Sequence, residues 1–182
     1  KEQELKSFPV LRFYQEDKSE YEDFTGAATC EEDCMEAEAM TEFVSDNLPE
    51  IVVPVNEATF NTFLQPAVEV PRFILVTKKE SPTLLYKSIA LRYKGKLTFG
   101  LLANPPDQLK QQLAVTRMPM LMVFFSQEGE IRGGAYQGGF SWEEMTRWTD
   151  QFAAPFLEGG DAQKEKPEAG NFQTPTGPLP QI

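Results

Sequence analysis

The only thiols in this chain, Cys30 and Cys34, are four residues apart and are the only candidates for redox chemistry. A helix predicted over residues 30–47 would place both on one face, with Cα atoms about 6 Å apart. That distance permits a disulfide, but the nearly parallel Cβ directions of a helix are poor geometry for one. A helix N-terminus favours the thiolate, whereas the three acidic residues between the cysteines favour the thiol. Buried thiols, a structural disulfide and a catalytic pair therefore all stay open.

Other reactive side chains are scarce. The chain has no histidine, which removes the usual general base near neutral pH and the commonest metal ligand. A zinc site at the cysteine pair would need two or more further ligands. We therefore predict neither a metal nor any other cofactor.

The charge of the chain is negative and unevenly placed. The formal net charge is −11 over 182 residues, which argues against a nucleic-acid surface. Residues 1–50 hold fifteen acidic and four basic residues, so the remainder is balanced. No apolar run approaches the length of a membrane-spanning helix, so no membrane insertion is predicted. Because the chain begins at Lys1 without a signal-like segment, we expect it to be part of a longer protein.

Much of the acid lies on the helix predicted over residues 30–47. Thr29 and Glu32 form a capping-box pattern at its start. The stripe predicted to face inward recurs at helical spacing: Cys30, Cys34, Ala37, Met40, Thr41, Phe43, Val44 and Leu48. Acidic residues cover the other side, which indicates either a solvated face or a docking surface for a basic protein partner.

Residues 114–129 are the stretch around which the rest of the chain is organised. Met120 to Phe125 is an apolar run of one strand's length, which predicts a strand buried on both faces. Pro119 cannot donate to a sheet ladder, so we place it at the first residue of that strand. A turn signal at residues 127–130 then predicts an antiparallel return strand over Ile131–Tyr136.

Further elements surround this stretch. Asn56 is predicted to cap a helix that buries Phe60 and its neighbours, and Ser81 to cap a helix with Pro82 at its first position. The tail over residues 158–182 lacks the apolar surface to fold. The other predicted elements are strands over 51–55, 72–77 and 97–102, helices over 106–113 and 142–152, and a helix stop at Gly95.

A proline before a buried strand, a tight turn and an antiparallel return strand together resemble the cis-proline corner of the thioredoxin fold. Residues 89–99 resemble that fold's passage from a helix through a glycine into the third strand. Residues 137–144 resemble its closing turn and last helix. The resemblance covers residues 51–157 and implies a complete thioredoxin-like α/β domain, with a central mixed sheet flanked by helices. It also implies a cis peptide bond between Met118 and Pro119.

The N-terminal residues carry a second version of the same pattern. Residues 7–14 and 21–26 resemble the proline-strand passage, and the strand and glycine after it, in catalytic domains of the protein disulfide isomerase family. The first half of such a domain is absent, and we expect it upstream, because half a sheet leaves an unpaired edge. Residues 1–50 are therefore interpreted as the C-terminal half of a thioredoxin-like domain.

The catalytic signature of the family is missing from the complete domain. Its Trp-Cys-Gly-x-Cys motif would follow the strand over residues 72–77, where Lys78-Lys79-Glu80-Ser81-Pro82 stands. That strand also lacks the buried acid of the family's enzymes. The resemblance thus implies no catalytic residue in this domain, and without thiols residues 51–182 cannot perform thiol-disulfide exchange.

The corner itself has a use that needs no thiol. In thioredoxin-like proteins the backbone before the cis-proline can pair with an extended peptide. This resemblance assigns peptide binding to Thr116, Arg117, Met118 and Pro119. The alternative is that Pro119 only ends the ladder and shapes the core.

Our leading hypothesis is a redox-inactive module of a protein disulfide isomerase-like or J-domain co-chaperone-like protein. By resemblance alone, it would lie in the endoplasmic reticulum lumen, acting in protein folding as a chaperone that binds or positions unfolded secretory polypeptides, or chaperone partners. One alternative is a structural interaction domain within a larger assembly. Another is part of an oxidoreductase whose Cys-x-x-Cys lies upstream of Lys1. The upstream sequence would separate the three.

Overall fold

The computed structural model describes residues 11–14, 21–24, 37–65, 70–127 and 130–153. The chain divides into two compact units on either side of the bond between Pro49 and Glu50. Four sequence predictions lie wholly or partly outside the described residues. They are the N-terminal proline pattern at residues 7–10 with its glycine at residue 26, the cysteine pair Cys30 and Cys34 with its capping box, the centre of the turn at residues 128–129, and the tail over residues 158–182.

The first unit contains a short antiparallel ladder. β1 (Arg12–Tyr14) pairs with β2 (Tyr21–Asp23). Arg12 donates two hydrogen bonds to the Asp23 carboxylate, from Nε at 2.6 Å and from Nη2 at 3.3 Å. The guanidinium also lies 4.0 Å from the centroid of the Tyr21 ring. One arginine thus joins the two strands through both charge and ring contact.

The helix of this unit, α1 (Ala37–Asn47), confirms the C-terminal part of the predicted acidic helix. Its packed face differs from the predicted stripe. Met40, Phe43 and Val44 are half-buried, and the Phe43 ring centroid lies 5.3 Å from that of Phe24. Ala37 and Thr41 are exposed, so the prediction is wrong at these two positions. The large Phe43 ring decides which face packs.

The second unit is built on a five-stranded mixed sheet. Its strands are β3 (Val52–Val55), β4 (Arg72–Thr77), β5 (Thr98–Ala103), β6 (Met120–Gln127) and β7 (Glu130–Ala135). They lie in the order β3-β5-β4-β6-β7. β3, β5 and β4 are parallel, β6 is antiparallel to β4, and β7 is antiparallel to β6. The predicted strands are confirmed with shifts of one or two residues at their ends.

Four helices cover this sheet: α2 (Glu57–Leu64), α3 (Leu84–Arg92), α4 (Asp107–Gln112) and α5 (Trp142–Ala153). The predicted cap of α2 is confirmed, because the Asn56 side chain accepts from the Thr59 N–H at 3.0 Å. The predicted cap of α3 is wrong. Thr83, not Ser81, caps this helix and accepts from the Tyr86 N–H. Both residues are cap formers, and α3 begins at Leu84, directly after Thr83.

The sheet separates two apolar cores. Side chains alternate along the central strands, so that Phe73 and Leu75 face α3 and α5, whereas Ile74 and Val76 face α2 and α4. Each fully buried large side chain of this kind contributes about 1.5–3 kcal/mol relative to exposure. The unit is therefore a three-layer sandwich that holds both ends of the sheet in fixed positions. Among the described residues, no helix has the length and apolar character needed to span a membrane.

A polar clamp joins α3 to α5. The Tyr93 hydroxyl donates to Asp150 Oδ1 at 2.6 Å and lies 3.2 Å from the Thr146 carbonyl oxygen. Arg92 Nη2 is 3.9 Å from the same carboxylate oxygen. Burial, together with the Asp150 hydrogen bond, raises the pKa of Tyr93 to about 12. The neutral phenol therefore supports the packing of the two helices.

Tyr93→Phe is expected to lower the free energy of unfolding by about 1–2 kcal/mol, because Asp150 loses its hydroxyl partner. The raised pKa means that the contribution of Tyr93 is complete below pH 10 and declines up to about pH 12, since the unfolded phenol ionises first. Guanidinium unfolding near pH 8 and near pH 11 measures both effects. The variant should lose less stability than wild type over this interval, and equal losses would contradict the assignment.

Candidate functional site

The ladder between β4 and β6 places the segment around Pro119 at one end of the sheet. Val76 lies opposite Met120 at the first rung of β6. The residues just before Met120 therefore leave the sheet at the carboxyl end of β4. The peptide bond between Met118 and Pro119 is cis. We call residues 116–119 the corner, and these are the four positions that the sequence assigned to peptide binding.

The backbone of residues 116–118 has no backbone hydrogen-bond partner among the described residues. Val115 donates its N–H to the Lys110 carbonyl oxygen at 2.8 Å, and the next backbone pairing is in β6. Within the part of the chain that the structure describes, Thr116, Arg117 and Met118 make no backbone hydrogen bond. The first two side chains are exposed, whereas Met118 is half-buried against the core beneath α2 and α4. Exposed and unpaired N–H and C=O groups can accept an added strand.

The loop Lys78–Pro82 leaves β4 beside the corner. The Lys79 N–H donates to Thr77 Oγ1 at 3.2 Å. Asn104, which follows β5, donates its N–H to the Thr77 carbonyl oxygen and its Nδ2 to Glu80 Oε1, both at 2.8 Å. Since β5 and β6 lie on opposite sides of β4, these contacts hold Glu80 toward β5, while Lys78 and Lys79 directly follow β4 and are exposed. The corner stays open toward solvent.

The turn after β7 forms the other side of this region. The Tyr136 N–H donates to the Leu121 carbonyl oxygen at 2.8 Å, next to the start of β6. Its hydroxyl donates to the Gly139 carbonyl oxygen at 2.9 Å. Gly138 lies so close to the Tyr136 ring that a Cβ there would collide with the hydroxyl. A side chain at position 138 would have to displace the Tyr136 ring, so the glycine allows the hydroxyl contact that holds the turn.

Two aromatic side chains are exposed on this held turn. Phe140 and Trp142 are each 41% exposed, and Phe140 meets the Tyr136 ring edge-on at 6.2 Å between centroids. Ser141 between them accepts from the Glu144 N–H at 3.3 Å and donates to its carboxylate at 3.1 Å, and so caps the start of α5. Large aromatic residues are usually buried, so an exposed pair on a fixed turn indicates a contact surface.

A shallow depression of about 380 Å³ adjoins the corner on the α4 side. It is lined by Asp107, Lys110, Gln111, Ala114, Val115 and Thr116. Its two charged side chains form an ion pair, Lys110 Nζ to Asp107 Oδ1 at 2.9 Å. This neighbour of the corner is therefore polar and neutral, and apolar contact with a ligand has to come from the aromatic pair or from Met118.

The predicted site residues have different outcomes. The four corner residues lie together at one end of the sheet, and Cys30 and Cys34 lie outside the described residues. Sequence reasoning did not single out Phe140 or Trp142. The sequence signals that could have indicated these two residues are the glycine pair at residues 138–139 and the Ser141-x-x-Glu144 helix-cap pattern that follows it, because both mark a turn. Among the described residues, no group of three acidic, cysteine or histidine side chains is placed to hold a metal ion.

Comparison with known proteins supports the fold described above. The chain is 26% identical over 133 residues to a Dictyostelium discoideum protein named as a protein disulfide-isomerase, covering 70% of this chain and 31% of that protein. It matches the crystal structure of ERdj5 form II with a TM-score of 0.58 and 15% identity, over 84% of this chain and 21% of that chain. Full-length ERdj5 gives a TM-score of 0.53 and 16% identity, over 80% and 22%. The chain has a thioredoxin-like fold.

The chain resembles proteins of the protein disulfide isomerase and ERdj5 type. It spans about a third of the length of its curated relative and about a fifth of the ERdj5 chains. No protein-family model matches it. The segment directly after β4 is Lys78–Pro82, which contains no thiol.

Proposed function

We propose that the chain is a redox-inactive, thioredoxin-like module of a protein disulfide isomerase-type or J-domain co-chaperone-type protein, and that its corner binds unfolded polypeptides. The observation that carries the proposal is the unpaired backbone of residues 116–118, with Phe140 and Trp142 exposed at the same end of the sheet. An extended client segment would add to the corner as a strand and place apolar side chains against the aromatic pair. Likeness to protein disulfide isomerase-type and ERdj5 proteins supports the endoplasmic reticulum lumen as the compartment.

The expected affinity is modest. Burial of roughly 300 Å² of apolar surface contributes about 7 kcal/mol, and the loss of motional freedom on association opposes much of it. Main-chain hydrogen bonds at the corner add little net energy, because the client exchanges bonds with water for bonds with protein. Micromolar binding that tolerates many client sequences follows from these terms, as a folding factor with varied clients requires.

Titrating a labelled unfolded polypeptide against the chain and its variants tests the proposal. Met118→Asp is expected to weaken binding about tenfold, because it places an unpaired charge against an apolar client. Met118→Leu keeps the volume and apolar character and should bind like wild type. Trp142→Ser removes exposed surface without touching the core and should weaken binding several-fold. Wild-type affinity in both Met118→Asp and Trp142→Ser would contradict the proposal, with thermal unfolding used to show that the variants are folded.

The redox-inactive part of the proposal has its own test. Residues 51–182 contain no cysteine, and β4 carries apolar residues where the fold's enzymes carry an acid. The Cys30→Ser/Cys34→Ser variant of the full chain is therefore expected to reduce insulin disulfides no faster than buffer. Faster turnover in this variant would refute redox inactivity. Turnover in wild type alone would refute redox inactivity of the chain and assign the activity to Cys30 and Cys34. Thiol titration with and without prior reduction would show whether they are paired.

A structural interaction domain is the second candidate, and one observation favours it. Glu38, Glu42 and Asp46 recur every fourth residue on α1 and are all exposed, which gives one acidic face suited to a basic protein partner. Glu38→Gln/Glu42→Gln should leave polypeptide binding at the corner unchanged. If this variant alone lost binding, docking through α1 would replace the client-binding proposal. An oxidoreductase that carries its Cys-x-x-Cys elsewhere in a longer chain is compatible with both.

A further inference from the structure

The centre of the corner region is basic, although the chain as a whole is acidic. Lys78, Lys79 and Arg117 are exposed, and none has an ion-pair partner among the described residues. Lys78 and Lys79 follow β4, and Arg117 lies two residues before Pro119. The β4–β6 ladder brings these positions to the same end of the sheet. These three exposed cations lie together at one end of the sheet, within residues 51–182, whose formal charges balance.

The acidic groups at this end are either occupied or set apart. Glu80 accepts from Asn104 at 2.8 Å, Asp107 pairs with Lys110, and Glu144 accepts from the Ser141 hydroxyl. These contacts hold Glu80 toward β5 and Glu144 at the start of α5, and Lys110 neutralises Asp107.

Two exposed carboxylates at this end, Glu57 and Glu143, make no hydrogen bond or ion pair with the residues that the structure describes. They lie at the starts of α2 and α5, which follow the edge strands β3 and β7. By contrast, Lys78 and Lys79 follow β4 and Arg117 precedes β6, and these two strands are neighbours in the interior of the sheet. The charge pattern is thus basic beside the unpaired backbone and acidic at the two margins.

We propose that the corner selects extended segments in which acidic side chains neighbour an apolar residue. This inference rests on the proposed function and names its client class. Side chains of an added strand alternate between two faces, so a segment paired with residues 116–118 brings neighbouring side chains past Arg117, Lys78 and Lys79. Carboxylates on the client meet these exposed cations, while lysine or arginine in the client is repelled. Charge complementarity of this kind acts on selectivity and association rate more than on total affinity.

Three labelled peptides with one apolar centre test the inference against the full chain. They carry Glu, Gln or Lys at the positions beside that centre and are otherwise identical. At low salt the Glu peptide is expected to bind about fivefold more tightly than the Gln peptide, and the Gln peptide more tightly than the Lys peptide. These differences should largely disappear at high salt, because the groups are exposed and screened.

Matched variants assign the preference to these side chains. Lys78→Gln/Lys79→Gln and Arg117→Gln should each reduce the preference for Glu over Gln. As the control, Lys94→Gln/Lys96→Gln also removes two lysine charges, but just before β5, at the opposite end of the sheet. It should leave the preference unchanged. Equal binding of the Glu and Gln peptides, or a preference that survives in Lys78→Gln/Lys79→Gln and Arg117→Gln, would overturn the inference and leave the proposed function standing. Absence of binding by all three peptides would overturn both.

Discussion

Replacing Gly100 by alanine is expected to destabilise the second unit by about 1–3 kcal/mol, and replacing it by valine is expected to cost more. A Cβ at Gly100 would lie 2.9 Å from Phe63 Cζ and 2.9 Å from Val55 Cγ2, inside van der Waals contact. On the other side of the sheet, the Gly100 carbonyl oxygen accepts from the buried Tyr86 hydroxyl at 2.9 Å. The strand is therefore held from both faces and cannot move away from an added side chain.

The sign of this effect is what makes it informative. Glycine in a strand interior normally costs roughly 0.5–1 kcal/mol relative to alanine, so an unconstrained position would gain stability from the change. Denaturant unfolding of the two variants measures the difference. Val53→Ile is the control, because Val53 lies directly opposite Gly100 on β3 but is 42% exposed. It should change stability by less than about 0.5 kcal/mol. A Gly100→Ala variant as stable as wild type would contradict the packing described for Phe63.

The sequence predicted best the elements whose signals were strong and local. The apolar run of β6 is buried in both cores, because alternate side chains enter opposite faces of the sheet. Asn56 was the one cap-forming residue directly before the predicted helix, and α2 begins directly after it. The start of α3 was predicted wrongly, because Ser81 and Thr83 satisfy the same local rule. Only the three-dimensional structure distinguishes them.

Surface features were much less predictable. Lys78 and Lys79 directly follow a predicted strand, and nothing in the local sequence indicated that Arg117 would lie at the same end of the sheet. The register between β4 and β6 brings them together, and register is a long-range property. Exposure of Phe140 and Trp142 was equally hidden, since aromatic residues are usually buried. It follows from a turn held by the Tyr136 hydroxyl, a contact between residues that composition alone does not connect.

Strand addition at the corner makes a prediction about the client's own backbone. In an added strand, alternate residues direct their N–H and C=O groups toward the protein, and the residues between them face solvent. Methylating the amide nitrogens of one alternate set removes the donors that meet residues 116–118 and places methyl groups against that edge. Loss of two such hydrogen bonds is worth about 1–3 kcal/mol, which is a factor of about 5 to 150 in affinity, and the methyl groups weaken binding further.

Two peptides that differ only in which alternate set is N-methylated test the central claim most directly. Both keep the same side chains and net charge, and the protein is used unaltered, so neither charge nor protein stability changes between the two titrations. One peptide is expected to bind within about twofold of the unmethylated peptide and the other to bind at least about tenfold more weakly. Equal binding of the two methylated peptides, whether both retained or both lost, would contradict strand addition at Thr116, Arg117 and Met118.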